Sequence, residues 1–228
     1  MKILPFGVAV IEGDTHLSKW VEQHGTLKIA EAYLALFKQY VPDGGTVIDV
    51  GAMIGDHTVT YAEWVGPTGQ VLAFEPNPAA FECLRFNMKP GMPVLLYQIA
   101  LSEAEKKLTL VSSDNAGASF LSDKPGEVVA VSLDELLRDS QNPIHFIKID
   151  AEGFETKILW GARKTIATWR PVMLIEINHG ALIRAGTSAS DLLGVIRSYG
   201  YQIEITDKRL AFEDAQFDVL AVPMERRK

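Results

Sequence analysis

The sequence predicts an α/β protein: a doubly wound sheet of seven strands, parallel except for an antiparallel last strand. Three observations predict it. Short β-rich runs alternate with helical ones along the chain, the pattern of βα units. Several strand candidates are near-continuous apolar stretches, as in parallel strands buried on both faces. Only residues 207–216 separate the last two strand candidates, too few for a crossover helix, so these two form a hairpin.

The strand candidates are residues 46–50, 70–75, 94–100, 146–150, 172–177, 201–205 and 217–222. Among the helix candidates, 30–40 has apolar residues at helical spacing until Pro42-Asp43-Gly44-Gly45 stops it. Residues 78–88 open on Pro78, at a first-turn position. Residues 155–169 place Ile158, Leu159, Ala162 and Ile166 on one face. Residues 190–199 begin within Ser188-Ala189-Ser190-Asp191 and end at Gly200. Residues 101–131 exceed an ordinary connection and contain β-like runs at 108–111 and 128–131, so they read as an insertion with a small hairpin. Residues 1–45 read as a helical lid segment of the same domain.

The 228 residues suffice for one well-cored domain, and 47% apolar with 22% charged residues is ordinary for a globular protein. A formal charge of −7 argues against a nucleic-acid partner, which usually meets a basic face. Cys83 is the sole cysteine, which excludes an internal disulfide framework and a cysteine-based zinc site. The apolar stretch 3–11 is broken by Pro5 and Gly7 and followed by Glu12 and Asp14, unlike a signal peptide. No run approaches the roughly 18 apolar residues of a membrane span. The expectation is a soluble, cytoplasmic protein; its oligomeric state is not legible.

The turn Val50-Gly51-Ala52-Met53-Ile54-Gly55-Asp56-His57-Thr58 follows the first strand and carries the first chemical signal. The dinucleotide pattern G-x-G-x-x-G would need glycine where Met53 and Asp56 stand, and no Gly-Lys-[Ser/Thr] of a phosphate loop occurs. Asp49, in the strand end, would repel a pyrophosphate and suits a ligand with an ammonium group. S-adenosylmethionine carries an ammonium and a sulfonium, and its carboxylate suits the helix start at His57 and Thr58. Glu75 ends the next strand in Phe74-Glu75-Pro76-Asn77-Pro78, where an acid can accept ribose hydroxyls. Glu75 fits NAD as well; Asp49 and the missing glycines discriminate. The alternative without a ligand is a turn glycine and an acidic cap.

Further motifs follow in order. They are Ala100-Leu101-Ser102, Asn115-Ala116-Gly117-Ala118-Ser119, Val131-Ser132-Leu133-Asp134 and, most specific, Ile147-Lys148-Ile149-Asp150-Ala151-Glu152-Gly153-Phe154-Glu155. With the two strand ends and the run from Pro171 to Asn178, the chain resembles the FkbM-type family of class I S-adenosylmethionine-dependent methyltransferases over about 46–179. The resemblance implies a Rossmann-like sheet closed by an antiparallel strand, with residues 46–228 as the methyltransferase domain. It implies S-adenosylmethionine as cofactor, S-adenosylhomocysteine as product, and methyl transfer to a hydroxyl, often on a sugar or polyketide-type molecule. The family usually has asparagine where Met53 stands; an asparagine can hydrogen-bond, whereas methionine can only pack. The turn and the matching motifs together mark Asp49, Gly51, Ala52, Met53, Gly55, His57, Thr58, Glu75, Pro76, Ala100, Leu101 and Asp150 as the cofactor-contacting set.

Ligands in such sheets bind outside the carboxyl ends of the strands. Asp150, Glu152, Asn178 and His179 fall on that edge, whereas His145 falls on the opposite edge and reads as structural. Methyl transfer to a hydroxyl needs alignment and a base. His179 suits the base, its alternative being a surface-loop histidine. Asp150 and Glu152 suit orienting the acceptor, meeting the ammonium or holding a divalent ion, while Glu155 reads as a helix-start acid. The catalytic candidates are thus His179, Asp150 and Glu152. Asp150, Glu152 and Glu176 together are not a specific metal signal; no metal is assigned, and a divalent ion stays open. Asn115 and Ser119 suit either the site or loop-bracing turns. His16, Trp20 and His24 lie in a segment suited to the acceptor wall. The expected partner is a small-molecule or glycan acceptor. Three competing readings remain: an N-methyltransferase, an NAD-type oxidoreductase, and a non-catalytic cofactor-binding protein, which Met53 keeps open.

Overall fold

The structure is a computed structural model and describes residues 1–28, 31–206 and 216–226. Its central sheet has seven strands: β1 (Thr46–Val50), β2 (Gln70–Phe74), β3 (Val94–Tyr97), β4 (Phe146–Ile149), β5 (Val172–Asn178), β6 (Tyr201–Ile205) and β7 (Gln216–Pro223). Their spatial order is β3-β2-β1-β4-β5-β7-β6. All pairs from β3 to β5 are parallel, and β7 runs antiparallel to both β5 and β6. The predicted fold class and antiparallel last strand are therefore observed. The order reverses between β1 and β4, which opens a crevice at their carboxyl ends. Residues 207–215 of the predicted short connection lie outside the described residues.

β1 and β4 are wholly buried, with sequences TVIDV and FIKI, which explains their near-continuous apolar character and isolates two charged residues among them. Helices α1 (Leu17–His24), α2 (Thr58–Val65), α3 (Pro78–Asn87), α4 (Glu155–Gly161), α5 (Arg163–Trp169), α6 (His179–Arg184) and α7 (Ala189–Ser198) surround the sheet. One face packs Ile48, Ile147 and Ile175 against Ile158, Leu159, Ile166 and Ile196 of α4, α5 and α7. The other packs Val47, Val71 and Phe146 against Tyr61 and Trp64 of α2. Capping sets the helix starts. Asn77 Oδ1 accepts the Ala79 N–H ahead of α3, with Pro78 in its first turn, and Ser188 Oγ accepts the Asp191 N–H ahead of α7.

Three predicted elements differ in detail. The helix expected over 155–169 is two helices. Gly161 approaches the Ser102 carbonyl so closely that a Cβ would stand 2.0 Å from it. Three and four residues on, the Asp134 carboxylate accepts the N–H groups of Lys164 and Thr165 and starts α5 afresh. The segment expected as a helix over 30–40 is a single α-turn, Glu31–Leu34, tightening into a 3₁₀ helix, Ala35–Tyr40; residue 30 lies outside the described residues. The strand expected over 94–100 ends at Tyr97. Ala100–Leu101 pairs instead with Val128–Val131, which pairs with Lys106–Val111, which pairs with Phe120–Ser122. The insertion thus carries a four-stranded sheet, larger than a hairpin, because the chain leaving β3 supplies its edge. No helix among the described residues is long and apolar enough to cross a membrane.

Candidate functional site

A cavity of about 710 Å³ opens where the carboxyl ends of β1, β2, β4 and β5 meet, within the range usual for small-molecule sites. Its floor is the turn after β1 and the loop after β4. Its upper wall is His16 and Leu17 with the insertion from Ser112 to Leu121.

The turn is shaped by three left-handed residues, Gly51 (φ +74°), Met53 (φ +50°) and Gly55 (φ +94°). A Cβ on Gly51 would stand 1.8 Å from the Asp150 carbonyl oxygen, and one on Gly55 would stand 2.6 Å from Met88 Cε. Both glycines therefore serve close packing inside the protein. Met53 occupies a conformation that costs an ordinary side chain about 1–2 kcal/mol and that asparagine tolerates better. This gives a backbone reason for the asparagine usual in the family. Met53 N–H donates to Glu75 Oε2 (2.9 Å) while Glu75 Oε1 accepts the Asn77 N–H (2.7 Å). Glu75 is thus both cavity wall and brace of the turn, and burial pushes its carboxyl up to about 7. Pro76, Ala100 and Leu101 line the cavity beside it.

Asp49 is fully buried and is not on the cavity wall. Its Oδ2 accepts from Thr58 Oγ1 (2.6 Å), and its Oδ1, buried without a hydrogen bond, lies 3.9 Å from Lys148 Nζ. Burial raises its pKa against the pull of Lys148. Ala52, Gly55 and Thr58 are likewise behind the wall, whereas Gly51, Met53, Asp56 and His57 face the cavity. Asp56 had no assigned role in the sequence, where it counted only as a missing glycine; burial pushes it up to about 6. His57 is held neutral, its pKa pushed down to about 4 by burial and by Lys148, and its Nδ1 is buried without a partner.

Lys148, also without an assigned role, reaches the floor from β4. It is 6% exposed, donates to the Gly51 carbonyl (3.0 Å) and pairs with Asp150 Oδ2 (3.2 Å). Burial opposes its charge, but Asp150 and Asp49 outweigh that and raise its pKa. The available signal was a lysine inside an otherwise apolar strand.

Asp150, Glu152 and Glu176 come together, with one oxygen of each within 4.8 Å of the others, an all-oxygen group that could hold a hard divalent cation. Glu152 also has a left-handed backbone (φ +50°). Its Oε2 accepts from Asn178 Nδ2 (3.3 Å) and lies 3.8 Å from Arg184 Nη2. Burial, then the charge of Asp150, pushes it up to about 7. Glu176 Oε1 accepts from Gln216 Nε2 (2.6 Å), and burial raises its pKa. Behind them, fully buried Glu155 accepts the N–H groups of Ala151 (2.8 Å) and Gly153 (3.2 Å), fixing the loop that presents Glu152.

Other candidates fall elsewhere. His179, the first residue of α6, is exposed and is not among the cavity-lining residues. His145 Nδ1 accepts the Thr46 N–H (3.1 Å) at the opposite edge. Trp20 stacks on His24 (centroids 4.0 Å apart) and, like it, is not on the cavity wall. Asn115 Oδ1 accepts the Gly117 N–H and Ser119 Oγ accepts the Ser113 N–H, so both brace the upper wall that they line. That wall is clasped to the N-terminal segment by buried Asp14, whose Oδ2 accepts the Ser18 N–H (2.7 Å) and whose Oδ1 accepts the Ala116 N–H (2.9 Å).

Comparisons with known proteins agree with this architecture. The profile of the methyltransferase FkbM domain matches residues 49–203. Among solved structures, the methyltransferase FkbM of Methylobacillus flagellatus KT aligns with TM-score 0.50 at 18% identity, over 78% of this chain and 44% of its own. The chain thus spans under half the length of that protein. Aeropyrum pernix fibrillarin, solved with bound S-adenosyl-L-methionine, aligns with TM-score 0.52 at 15% identity, over 84% of this chain and 76% of its own. A SAM-dependent methyltransferase from Aquifex aeolicus aligns with TM-score 0.51 at 14% identity, over 89% and 96%. No curated protein matches. The profile match spans more than half of the chain, through the glycine turn and the Lys148–Glu155 block, and on that ground the chain belongs to the FkbM methyltransferase family, built on the class I methyltransferase fold.

Proposed function

We propose that this chain is an S-adenosylmethionine-dependent O-methyltransferase acting on a hydroxyl of a small molecule or glycan. The observation that carries the reading is one cavity with two unlike halves. On one side the glycine turn, Glu75, Pro76, Ala100 and Leu101 form a largely backbone and apolar wall; on the other lie the carboxylates after β4 and β5.

The residues fit the cofactor. Asp56 and Asp150 offer acids to its ammonium, and Glu75 keeps free lone pairs for ribose hydroxyls. When bound, the cofactor supplies a methyl group on a cationic sulfur that leaves as a neutral thioether.

The protein then has to align the acceptor oxygen and receive its proton. Glu152 is the base in this reading. It faces the cavity, its pKa of about 7 suits proton acceptance near neutrality, and Asn178 and Arg184 hold its carboxylate. The base role passes to it from His179, which is exposed outside the cavity lining. Ser112, Ser113, Asn115 and Ser119 on the upper wall suit a hydroxylated acceptor.

One observation favours a second reading, N-methylation of an amine. The described lining residues include Asp56, Glu75, Asp150, Glu152 and Glu176 against only Lys148 and Arg184 as lysine or arginine. The same excess of acid, with the formal charge of −7, disfavours a nucleic-acid acceptor. Titration calorimetry with S-adenosylhomocysteine and NAD, followed by transfer of labelled methyl to panels of sugars, glycolipids, polyketides, amines and peptides, tests both. Binding of NAD without S-adenosylhomocysteine would overturn the cofactor assignment, and labelling of amines alone would replace O- by N-methylation.

A further inference from the structure

We propose that Lys148 is a positioning residue for the cofactor: its buried ammonium ties the Gly51 carbonyl of the turn after β1 to the Asp150 carboxylate of the loop after β4. The inference rests on the cofactor reading above and goes beyond it, since that reading gives Lys148 no part.

The register places Lys148 of β4 directly beside Asp49 of β1, at the switch point of the sheet. From there the side chain reaches the strand ends. Nζ stands 3.0 Å from the Gly51 carbonyl oxygen, 3.2 Å from Asp150 Oδ2 and 3.9 Å from Asp49 Oδ1. These contacts span the two segments that form the cavity floor. Gly51 and Asp150 are already packed so closely that no side chain fits between them, so a donor bridging them sets both walls at once. Stability alone does not account for the lysine. A buried ion pair at a sheet interior is commonly matched or bettered by packed apolar residues, which the rest of β4 supplies.

The direction of the charge narrows its task. Lys148 repels the ammonium of the cofactor and so is no direct partner of it. By taking one oxygen of Asp150 it leaves the other for the cavity, and by taking the Gly51 carbonyl it fixes the turn that carries Asp56 and His57 on the cavity wall. Both effects act on the amino-acid end of the cofactor, away from the adenosine wall at Glu75 and Leu101.

The test compares two probes on Lys148→Met, with folding checked by thermal melting. S-adenosylhomocysteine carries the amino-acid end; 5′-methylthioadenosine has the same adenosine and lacks it. The expected result by titration calorimetry is a loss of S-adenosylhomocysteine affinity of about 10- to 100-fold, as displaced positioning groups cause. 5′-Methylthioadenosine should change by less than about threefold, under 1 kcal/mol. If Lys148→Met does not fold, Lys148→Gln, which keeps a donor for the Gly51 carbonyl but no charge for Asp150, is compared in the same way, with a smaller loss of about 10-fold expected for S-adenosylhomocysteine alone. Equal weakening of both probes would make Lys148 merely structural and overturn the proposal, as would unchanged affinity for both. Failure of the unmodified protein to bind S-adenosylhomocysteine would instead overturn the cofactor reading.

Discussion

The amide of Met53 donates to the Glu75 carboxylate at 2.9 Å, so a strained left-handed residue in one loop is held by an acid at the end of the neighbouring strand. The contact joins the two strand ends that the cofactor reading depends on. It also explains how methionine is tolerated at a backbone position that favours glycine or asparagine: the conformation is fixed from outside the turn.

Met53→Asn should therefore stabilise the protein. Relief of the left-handed strain is worth about 1 kcal/mol, or roughly 2–4 °C in melting temperature for a chain of this size. Scanning calorimetry of the two proteins checks this, and a lower melting temperature would show that the packing of the methionine outweighs the strain.

Glu152 and His179 can be separated by turnover. Glu152→Gln should lower kcat by about 10²- to 10⁴-fold, the usual contribution of a general base, while S-adenosylhomocysteine still binds. His179→Ala should leave kcat within about twofold, because the ring is exposed away from the cavity. In the unmodified enzyme kcat should rise with pH through about 7, as Glu152 loses its proton. A flat profile would remove Glu152 as the base, and a large loss in the histidine variant would return that role to His179.

The buried acids set a pH dependence of stability. Glu75, Glu152 and Glu155 are each raised to about 7 by burial. Above the ordinary carboxylate range and below about 7, the folded protein holds protons that the unfolded chain has lost, so each acid lowers stability as pH rises. His57, pushed down to about 4, acts oppositely between that value and its ordinary one. With Asp56 raised to about 6 as well, the acids outweigh His57 and the likewise lowered His145, and the ligand-free protein should melt higher at about pH 5.5 than at pH 7.5. Thermal melts across that interval decide it, and a rising midpoint would contradict it.

Asp14→Ala should loosen the upper wall. It removes the acceptor for the Ser18 and Ala116 amides, one at the start of α1 and one in the insertion. Loss of the two bonds should cost about 1–3 kcal/mol and raise KM for the acceptor more than it lowers kcat. Steady-state kinetics with any acceptor found in the labelled panel would show this, and an unchanged KM would place the acceptor elsewhere.

The sequence by itself determined the sheet, its antiparallel end and the two strand-end acids, because these follow from local patterns: apolar runs, a connection too short for a helix, and glycines in turns. It also marked the Lys148–Glu155 block without saying what each residue does. Only the tertiary structure decided that Asp49 stands behind the wall, since burial depends on which strands flank β1. It decided that Gly51 is required by the Asp150 carbonyl and that Gly161 breaks a helix against Ser102, both being contacts between distant parts of the chain. And it decided that Lys148, Glu152 and Asp56 share the cavity floor while His179 does not. A sheet edge can be read from strand order, but the side on which a loop residue lands depends on backbone twist and capping, here the left-handed turn at Glu152 and Asn178, whose Oδ1 accepts the Ala181 N–H (3.1 Å) and caps α6.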